Sequence, residues 1–281
     1  MQVLQVIVNG ILLGGIYALL GVGMTMMFGI VKLTNLAHGE FVIIGAYAST
    51  FIASWIGCDP ILTLIVTIPL MFLLGMVLQR GLINRVMMIG SEPALLVTFG
   101  LSIILSGAML LVFSADAQRA NVPYNTSSIK IAEGLTISVL DLIVFGISLV
   151  TIIILSLFLK KTYLGRSIRA TSDDTEAASL MGVNVKKTYA IAMGIAMATA
   201  AIAGLCVSMK WVYYPSSGGG YLLTAFGVVV IGGMGSIPGT LVAGLVLGLA
   251  QVIGGANYGA LIVQVLMVLF LAVRPQGLFS K

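Results

Sequence analysis

The chain alternates between long apolar runs and short polar breaks. Residues 3–31, 41–58, 61–79, 94–113, 188–209, 222–254 and 257–273 carry no charge, and 136–159 carries only Asp141. Runs near or above 20 apolar residues match the hydrocarbon thickness of a bilayer, so each reads as a spanning helix. Helices are expected because every backbone group must be paired inside the membrane. The run 222–254 is interrupted by Gly232-Gly233-Met234-Gly235-Ser236-Ile237-Pro238-Gly239, a strong local breaker. The pattern predicts an all-α polytopic membrane protein of about eight transmembrane helices in a single domain over residues 1–281. Seven are full spans. The eighth unit is a broken or re-entrant Gly-rich hairpin near 222–254.

Composition agrees. Hydrophobic residues make up 59% and charged residues 8% of the 281, with a net charge of +5. A soluble domain carries roughly 25% charged residues, and disorder requires low hydrophobicity, so both classes are excluded. The first apolar run begins at Val3, without a basic leader or a small-residue cleavage site, and reads as a retained span. Cys58 and Cys206 are far apart and form neither a CxxC nor a zinc spacing. The 34 glycines suit close helix packing. Three pairs, Gly10/Gly14, Gly235/Gly239 and Gly244/Gly248, have the GxxxG spacing.

Charge placement sets the expected orientation. With the N-terminus outside, the loops at 32–40, 80–93 and 160–187 and the C-terminal tail are cytoplasmic. They hold Lys32, Arg80, Arg85, Lys160, Lys161, Arg166, Arg169, Lys186, Lys187, Arg274 and Lys281, leaving only Arg119, Lys130 and Lys210 outside. The outer loop 114–135 is polar and long enough for a small cap. Trp55, Trp211, Tyr213 and Tyr214 fall where an aromatic belt is expected, and Asp141 lies near the outer start of its span.

The cytoplasmic loop 160–187 carries a short amphipathic segment. Asp173 or Asp174 can cap a helix, with Glu176 in its first turn. Ala177, Ala178, Leu180 and Met181 supply an apolar side, and Gly182 ends it. Such a helix suits a partner groove, although a basic loop resting on lipid head groups reads equally from composition. Asn35, His38, Gly39 and Glu40 group polar atoms after the first span. They either line the inner mouth of a path or satisfy backbone freed where the helix breaks at Gly39. Gly232, Gly233, Gly235, Ser236 and Pro238 are either a packing turn or part of a pore. Gln5, Asn9, Gln251, Asn257 and Gln264 are helix glue or path lining.

Glu176-Ala177-Ala178, with Gly182 four residues further on, resembles the EAA-x-x-x-G motif of ABC importer permeases. Its flanks are Gly165-Arg166 with Arg169-Ala170 before it and Leu180-Met181-Gly182-Val183-Asn184 after it. With Gly14-Gly15-Ile16-Tyr17-Ala18-Leu19, the block Asn35 to Glu40, the block Gly232 to Gly239 and the tail from Arg274 to Phe279, these resemble the branched-chain amino acid permease family. The smaller of its two permease subunits, of the Liv type, is the better match. The resemblance covers nearly the whole chain. It implies a permease subunit in a bacterial or archaeal inner membrane. Arg166, Arg169, Asp173, Asp174, Glu176 and the helix after them would couple it to ATP hydrolysis. The implied partners are a second permease subunit, two ATP-binding subunits carrying ATP and Mg, and an extracytoplasmic substrate-binding protein, with no nucleic acid. No cofactor is expected on this chain itself, which has no GxxxxGK[ST] phosphate loop.

The implied cargo is a branched-chain or other hydrophobic amino acid, with a urea or amide permease of the same family as the alternative. A self-contained secondary transporter would need intramembrane ionisable groups, and here these are limited to Asp141, His38 and Glu40. A Ser236/His38 hydrolase has neither the Gly of a nucleophile elbow nor a third orienting group.

Overall fold

A computed structural model describes residues 2–31, 34–87, 90–132, 135–274 and 276–279. The chain is helical from end to end, apart from one small hairpin. Helix α1 (Gln2–Val31) leads to α2 (His38–Ile56). Next comes one apolar rod, made of a 3₁₀ turn (Pro60–Thr63), α3 (Leu64–Leu78), a π-turn (Gln79–Ile83) and α4 (Asn84–Met87). α5 (Ser91–Phe113) precedes a two-stranded antiparallel hairpin, β1 (Ser128–Ala132) and β2 (Leu135–Ser138). α6 (Val139–Lys161) is followed by two short helices, α7 (Tyr163–Asp173) and α8 (Thr175–Leu180), and then by α9 (Val185–Lys210). α10 (Gly218–Gly232) and α11 (Ile237–Val273) complete the order. Among the described residues, eight helices are long and apolar enough to cross a membrane.

α9 and α1 form the centre. α9 is rich in Ala, Gly and Met, and most of its length is buried. Without large side chains, neighbouring backbones approach it closely: a Cβ on Gly204 would overlap the Val42 carbonyl of α2, and one on Gly194 would meet Phe72 of α3. α1 packs along α11 through the predicted small residues. A Cβ on Gly248 would overlap α1 at Gly10 and Gly14, and one on Gly244 would meet Ala18. Dispersion at such close backbone approach is what holds helices together where lipid is as apolar as the side chains. The periphery is the reverse: Ile65, Val77, Leu96, Leu111 and Ile253 are each at least two-thirds exposed. That fits surfaces that meet hydrocarbon rather than water.

The last 37-residue helix doubles back on itself. Gly255 adopts φ +64°, ψ −165°, a backbone that glycine alone tolerates. Leu247 and Met267 both lie against Gly227, although a straight helix would separate them by about 30 Å. Residues 237–254 and 256–273 are therefore antiparallel arms. The expected break before the last span is present.

The Gly-rich break forms a hairpin, as the sequence predicts. Its arms are α10, 15 residues and about 22 Å, and residues 237–254, about 27 Å. Their turn at 233–236 packs on Gly29, near the end of α1, rather than at mid-membrane. The same end of the bundle carries α4, α7, α8 and the C-terminal segment. Ser172 donates to the Gly29 carbonyl, Asn84 Nδ2 donates to the Lys186 carbonyl, and Leu278 N donates to the Ile231 carbonyl.

The described basic residues sort accordingly. Arg80, Arg85, Lys160, Lys161, Arg166, Arg169, Lys186, Lys187 and Arg274 are at this loop face, and Arg119, Lys130 and Lys210 are at the other. Lys32 and Lys281 lie outside the described residues. At the opposite face the cap expected in 114–135 is the β-hairpin, of which residues 133 and 134 are outside the description. A bridge from Gln118 to Tyr213 and an ion pair between Lys210 and Asp141 join this face to α9. Asp141 thus has a partner rather than snorkelling alone. Tyr213 is fully buried, with its hydroxyl donating to Thr50 Oγ1 at 2.8 Å, so it is not a belt residue. Cys58 and Cys206 are both free thiols.

Candidate functional site

Two groups of predicted residues become two separate places. The first is the loop face. α7 is strongly amphipathic: Gly165, Ile168 and Thr171 are buried at a spacing of three, while Arg166 and Arg169 point to solvent. Gly165 lets α7 turn tightly off α6, because a Cβ there would overlap the Phe158 carbonyl. Of the two candidate caps, Asp174 serves. Its Oδ1 accepts from Glu176 N and Ala177 N at 2.9 and 3.0 Å, and Asp173 is the last residue of α7. α8 ends in a Schellman motif: Val183 N donates to the Ala178 carbonyl and Gly182 N to the Ser179 carbonyl, both at 3.0 Å. Gly182 has φ +84°, which accounts for its identity. Ala178 is buried against the bundle, whereas Leu180 and Met181 are 89% and 85% exposed. The short helix is therefore fixed at both ends and projects two large apolar side chains away from the membrane domain.

The second place is inside the bundle. The connection from α1 to α2 does not stay at the loop face. Asn35 Nδ2 reaches Met193 Sδ of α9, and His38 Nε2 donates to the Leu20 carbonyl at 3.1 Å. Leu20 lies near the middle of α1. The first turn of α2 therefore begins at mid-depth, not at an inner mouth. Non-helical backbone at this depth is tolerated because protein surrounds it. Asn35 Oδ1 accepts from Ala37 N at 3.1 Å, so it satisfies backbone freed by the break. The break precedes His38 rather than falling at Gly39.

Gly39 has another role. A Cβ there would overlap the Gly218 carbonyl, so it lets the N-terminus of α10 touch the N-terminus of α2. Glu40 is 5% exposed and packs on Gly218. Its Oε1 accepts from Ser102 at 3.4 Å, while Oε2 and His38 Nδ1 are buried without a protein partner. Because the Leu20 carbonyl can only accept, a neutral His38 carries its proton on Nε2 and presents Nδ1 as an acceptor.

Three residues not picked from sequence complete this place. Thr98, Ser102 and Ser106 lie four apart on α5. They reach Thr34 and Leu36, Glu40, and the Pro215 carbonyl respectively. A polar stripe at i, i+4, i+8 on an otherwise apolar helix is the signal that could have found them. Helix N-termini and a carboxylate meet here in a low-dielectric interior, an arrangement suited to both ends of a zwitterion.

Gly232, Gly233, Gly235, Ser236 and Pro238 lie at the loop-face end, on Gly29, and outside the mid-depth cluster. They form the tight turn between α10 and α11. Gly233 and Gly235 have φ +97° and +84°, Ser236 caps α11 by accepting from Gly239 N at 3.2 Å, and Pro238 occupies the first turn. A Cβ on Gly239 would overlap the Gly232 carbonyl. Gly235 and Gly239 therefore contact different helices and are not a shared packing face. Ser236 sits with Gly29 while His38 sits with Leu20, about 13 Å apart along α1, which separates any Ser–His pair.

Comparison with known proteins agrees with this architecture. The family described as branched-chain amino acid transport system / permease component matches residues 6–273. The chain is 32% identical to the high-affinity branched-chain amino acid transport system permease protein BraD of Pseudomonas aeruginosa, over 99% of this chain and 96% of that one. It is 30% identical to LivH of Escherichia coli at the same coverage. LivM of Escherichia coli is 28% identical over 94% of this chain and 67% of its own length. Among solved structures, PsaBC from Streptococcus pneumoniae in complex with Fab superposes with a TM-score of 0.51 at 14% identity. It covers 97% of this chain and 91% of that one, a likeness of fold alone. The multi-pass helical chain belongs to the family of branched-chain amino acid transport permease components.

Proposed function

We propose that the chain is one transmembrane half of an ATP-driven importer for branched-chain or other hydrophobic amino acids. The observation that carries this reading is α8. A six-residue helix, capped at both ends and anchored by Ala178, holds Leu180 and Met181 almost fully in solvent. Exposing two large apolar side chains is unfavourable unless a partner covers them. In this reading the loop face is cytoplasmic, and an ATP-binding subunit receives α8 in a groove.

α7 transmits the movement. Ser172 of α7 bonds the end of α1, and Gly165 joins α7 to α6 without slack. A push on α8 is thereby passed to α1, whose Leu20 carbonyl holds His38, and to α6, which packs on α1. Glu40, Ser102 and the N-termini of α2 and α10 form the path's polar constriction. The substrate ammonium is drawn to Glu40 and its carboxylate to the helix N-termini. ATP binding below shifts the balance between inward-open and outward-open arrangements by making different contacts in each. A second permease subunit completes the path, and a soluble binding protein delivers substrate from outside.

The test replaces Leu180 by Asp in the assembled transporter. A charge in an apolar groove costs enough to lose docking. Leucine uptake should fall by at least about tenfold while the permease remains inserted and its thermal unfolding is unchanged. Normal uptake by Leu180→Asp and by Met181→Asp would remove α8 as the coupling element.

A further inference from the structure

An apolar groove opens on the side of α9, apart from α8 and from the Glu40 cluster. It has a volume of about 450 Å³ and runs along α9 between α3 and α6, with Phe72, Leu155, Phe158, Ile191, Ile195 and Ile202 on its walls. Its two polar side chains are already satisfied by their own helices. Thr151 donates to the Ile147 carbonyl at 2.7 Å and Thr199 to the Ala196 carbonyl at 2.8 Å. The groove therefore offers nothing to a polar or zwitterionic cargo and is not a transport path.

Its length is informative. Ile191 to Ile202 spans about 16 Å of helix, close to the roughly 15 Å depth of one leaflet of hydrocarbon. It starts at the loop face and ends near mid-depth. One helical turn before Ile191, on the same stripe of α9, is Lys187.

Lys187 belongs to a second cavity of about 390 Å³, lined by Arg80, Asn84, Arg85, Asn184, Lys186 and Lys187. This cleft holds four cations and no carboxylate. Among the described residues, none of the four is in an ion pair; the single pair is Lys210–Asp141, at the opposite face. The π-turn contributes here. In a regular α-helix Arg80 and Arg85 would be about 140° apart. The i→i+5 turn at Gln79–Ile83 stacks residue i+5 over residue i, so both arginines reach the same cleft. Buried Gln79 steadies the turn by donating to Asn84 Oδ1 at 3.0 Å.

From this juxtaposition we propose that the chain holds one anionic phospholipid from the leaflet at the loop face. Its phosphate headgroup sits in the Arg80–Arg85–Lys186–Lys187 cleft, and an acyl chain lies in the groove along α9. Charge complementarity selects the headgroup, and the leaflet-length groove selects a lipid over free phosphate. The site is independent of the transport reading and of α8.

The test uses the assembled complex reconstituted in phosphatidylcholine vesicles doped with spin-labelled phosphatidylglycerol or spin-labelled phosphatidylcholine. The motionally restricted fraction is read by electron paramagnetic resonance. The wild type should retain phosphatidylglycerol over phosphatidylcholine by at least about tenfold, since each cation near the surface contributes roughly fivefold. The double variant Arg85→Gln/Lys187→Gln, both at exposed positions, should bring that preference to within about threefold of parity. Filling the groove with Ile195→Trp should likewise bring the two lipids toward equal retention. Glycerol phosphate should not displace the label. Equal retention of the two lipids by the wild type, or an unchanged preference in the charge variant, would overturn the proposal. Displacement by glycerol phosphate would make this a headgroup-only anion site. A restricted fraction seen in the isolated chain but lost on assembly would make the groove a contact for another subunit. Either of these results also overturns it.

Discussion

At the scale of residues, the buried Glu40 carboxylate is the feature that most needs a purpose. An ionised side chain costs several kcal/mol to place in a membrane interior unless it is compensated (roughly 2.5–3.5 kcal/mol on insertion scales). Here the compensation is one long hydrogen bond from Ser102 and the N-terminal turns of α2 and α10, with Oε2 left open. A purely structural glutamate would be better satisfied. Glu40→Gln keeps the volume and the bond to Ser102 but removes the charge. We expect it to lower uptake at least about tenfold with assembly and thermal stability intact. A variant that transports at the wild-type rate would show that the ammonium does not meet Glu40. Asn35, Glu40 and His38 were legible from sequence because they cluster within six residues between two uncharged runs. Their depth was not, since charges mark where spans end and say nothing about a connection that climbs back into the bundle. The α5 stripe of Thr98, Ser102 and Ser106 was equally visible in the spacing, yet single hydroxyls on an apolar helix are common enough to pass as helix glue.

At the scale of elements, glycine spacing carried real information, with one exception that explains itself. Gly10/Gly14 and Gly244/Gly248 form the α1–α11 crossing expected of small residues on one face. Gly235/Gly239 has the same spacing but straddles a turn, so the two residues touch different helices. Spacing alone cannot distinguish a helix interior from its first cap. The crossing yields a paired expectation. Gly248→Leu drives a side chain into the backbone of α1 and should destabilise the chain by about 3 kcal/mol, the upper part of the overpacking range. Gly107→Leu, where a side chain meets open space on α5, should be nearly neutral. Thermal unfolding in one detergent compares them directly, and an equal loss in both would refute the crossing. The ends of α8 were legible, from an acidic cap to a stop glycine, because both are set by local chemistry; its expected single apolar side divides, with Ala178 buried and Leu180 and Met181 exposed. The choice of Asp174 over Asp173 needed coordinates, since either carboxylate can reach the first turn.

At the scale of the whole molecule, burial is unevenly distributed among the described residues. α9 is packed on nearly every side, whereas the outer surfaces of α3, α5 and α6 are apolar and open, and α8 presents bare leucine and methionine at one face. The lipid bilayer accounts for the first kind of surface; in the proposed reading a partner subunit covers the second. The described basic residues collect at that same face, the side expected from the sequence to be cytoplasmic. In the proposed reading the Glu40 cluster is the polar constriction, α8 is the docking element connected to it through α7, and another chain supplies the energy.

Co-purification tests this most directly. The full-length chain is extracted from its native membrane in mild detergent and every bound protein is identified by mass spectrometry, for the wild type and for Leu180→Asp. The account predicts that the wild type brings down a second permease chain and ATP-binding chains, and that Leu180→Asp keeps the permease partner but loses the ATP-binding chains. A wild-type chain that purifies alone, or only with copies of itself, would contradict it.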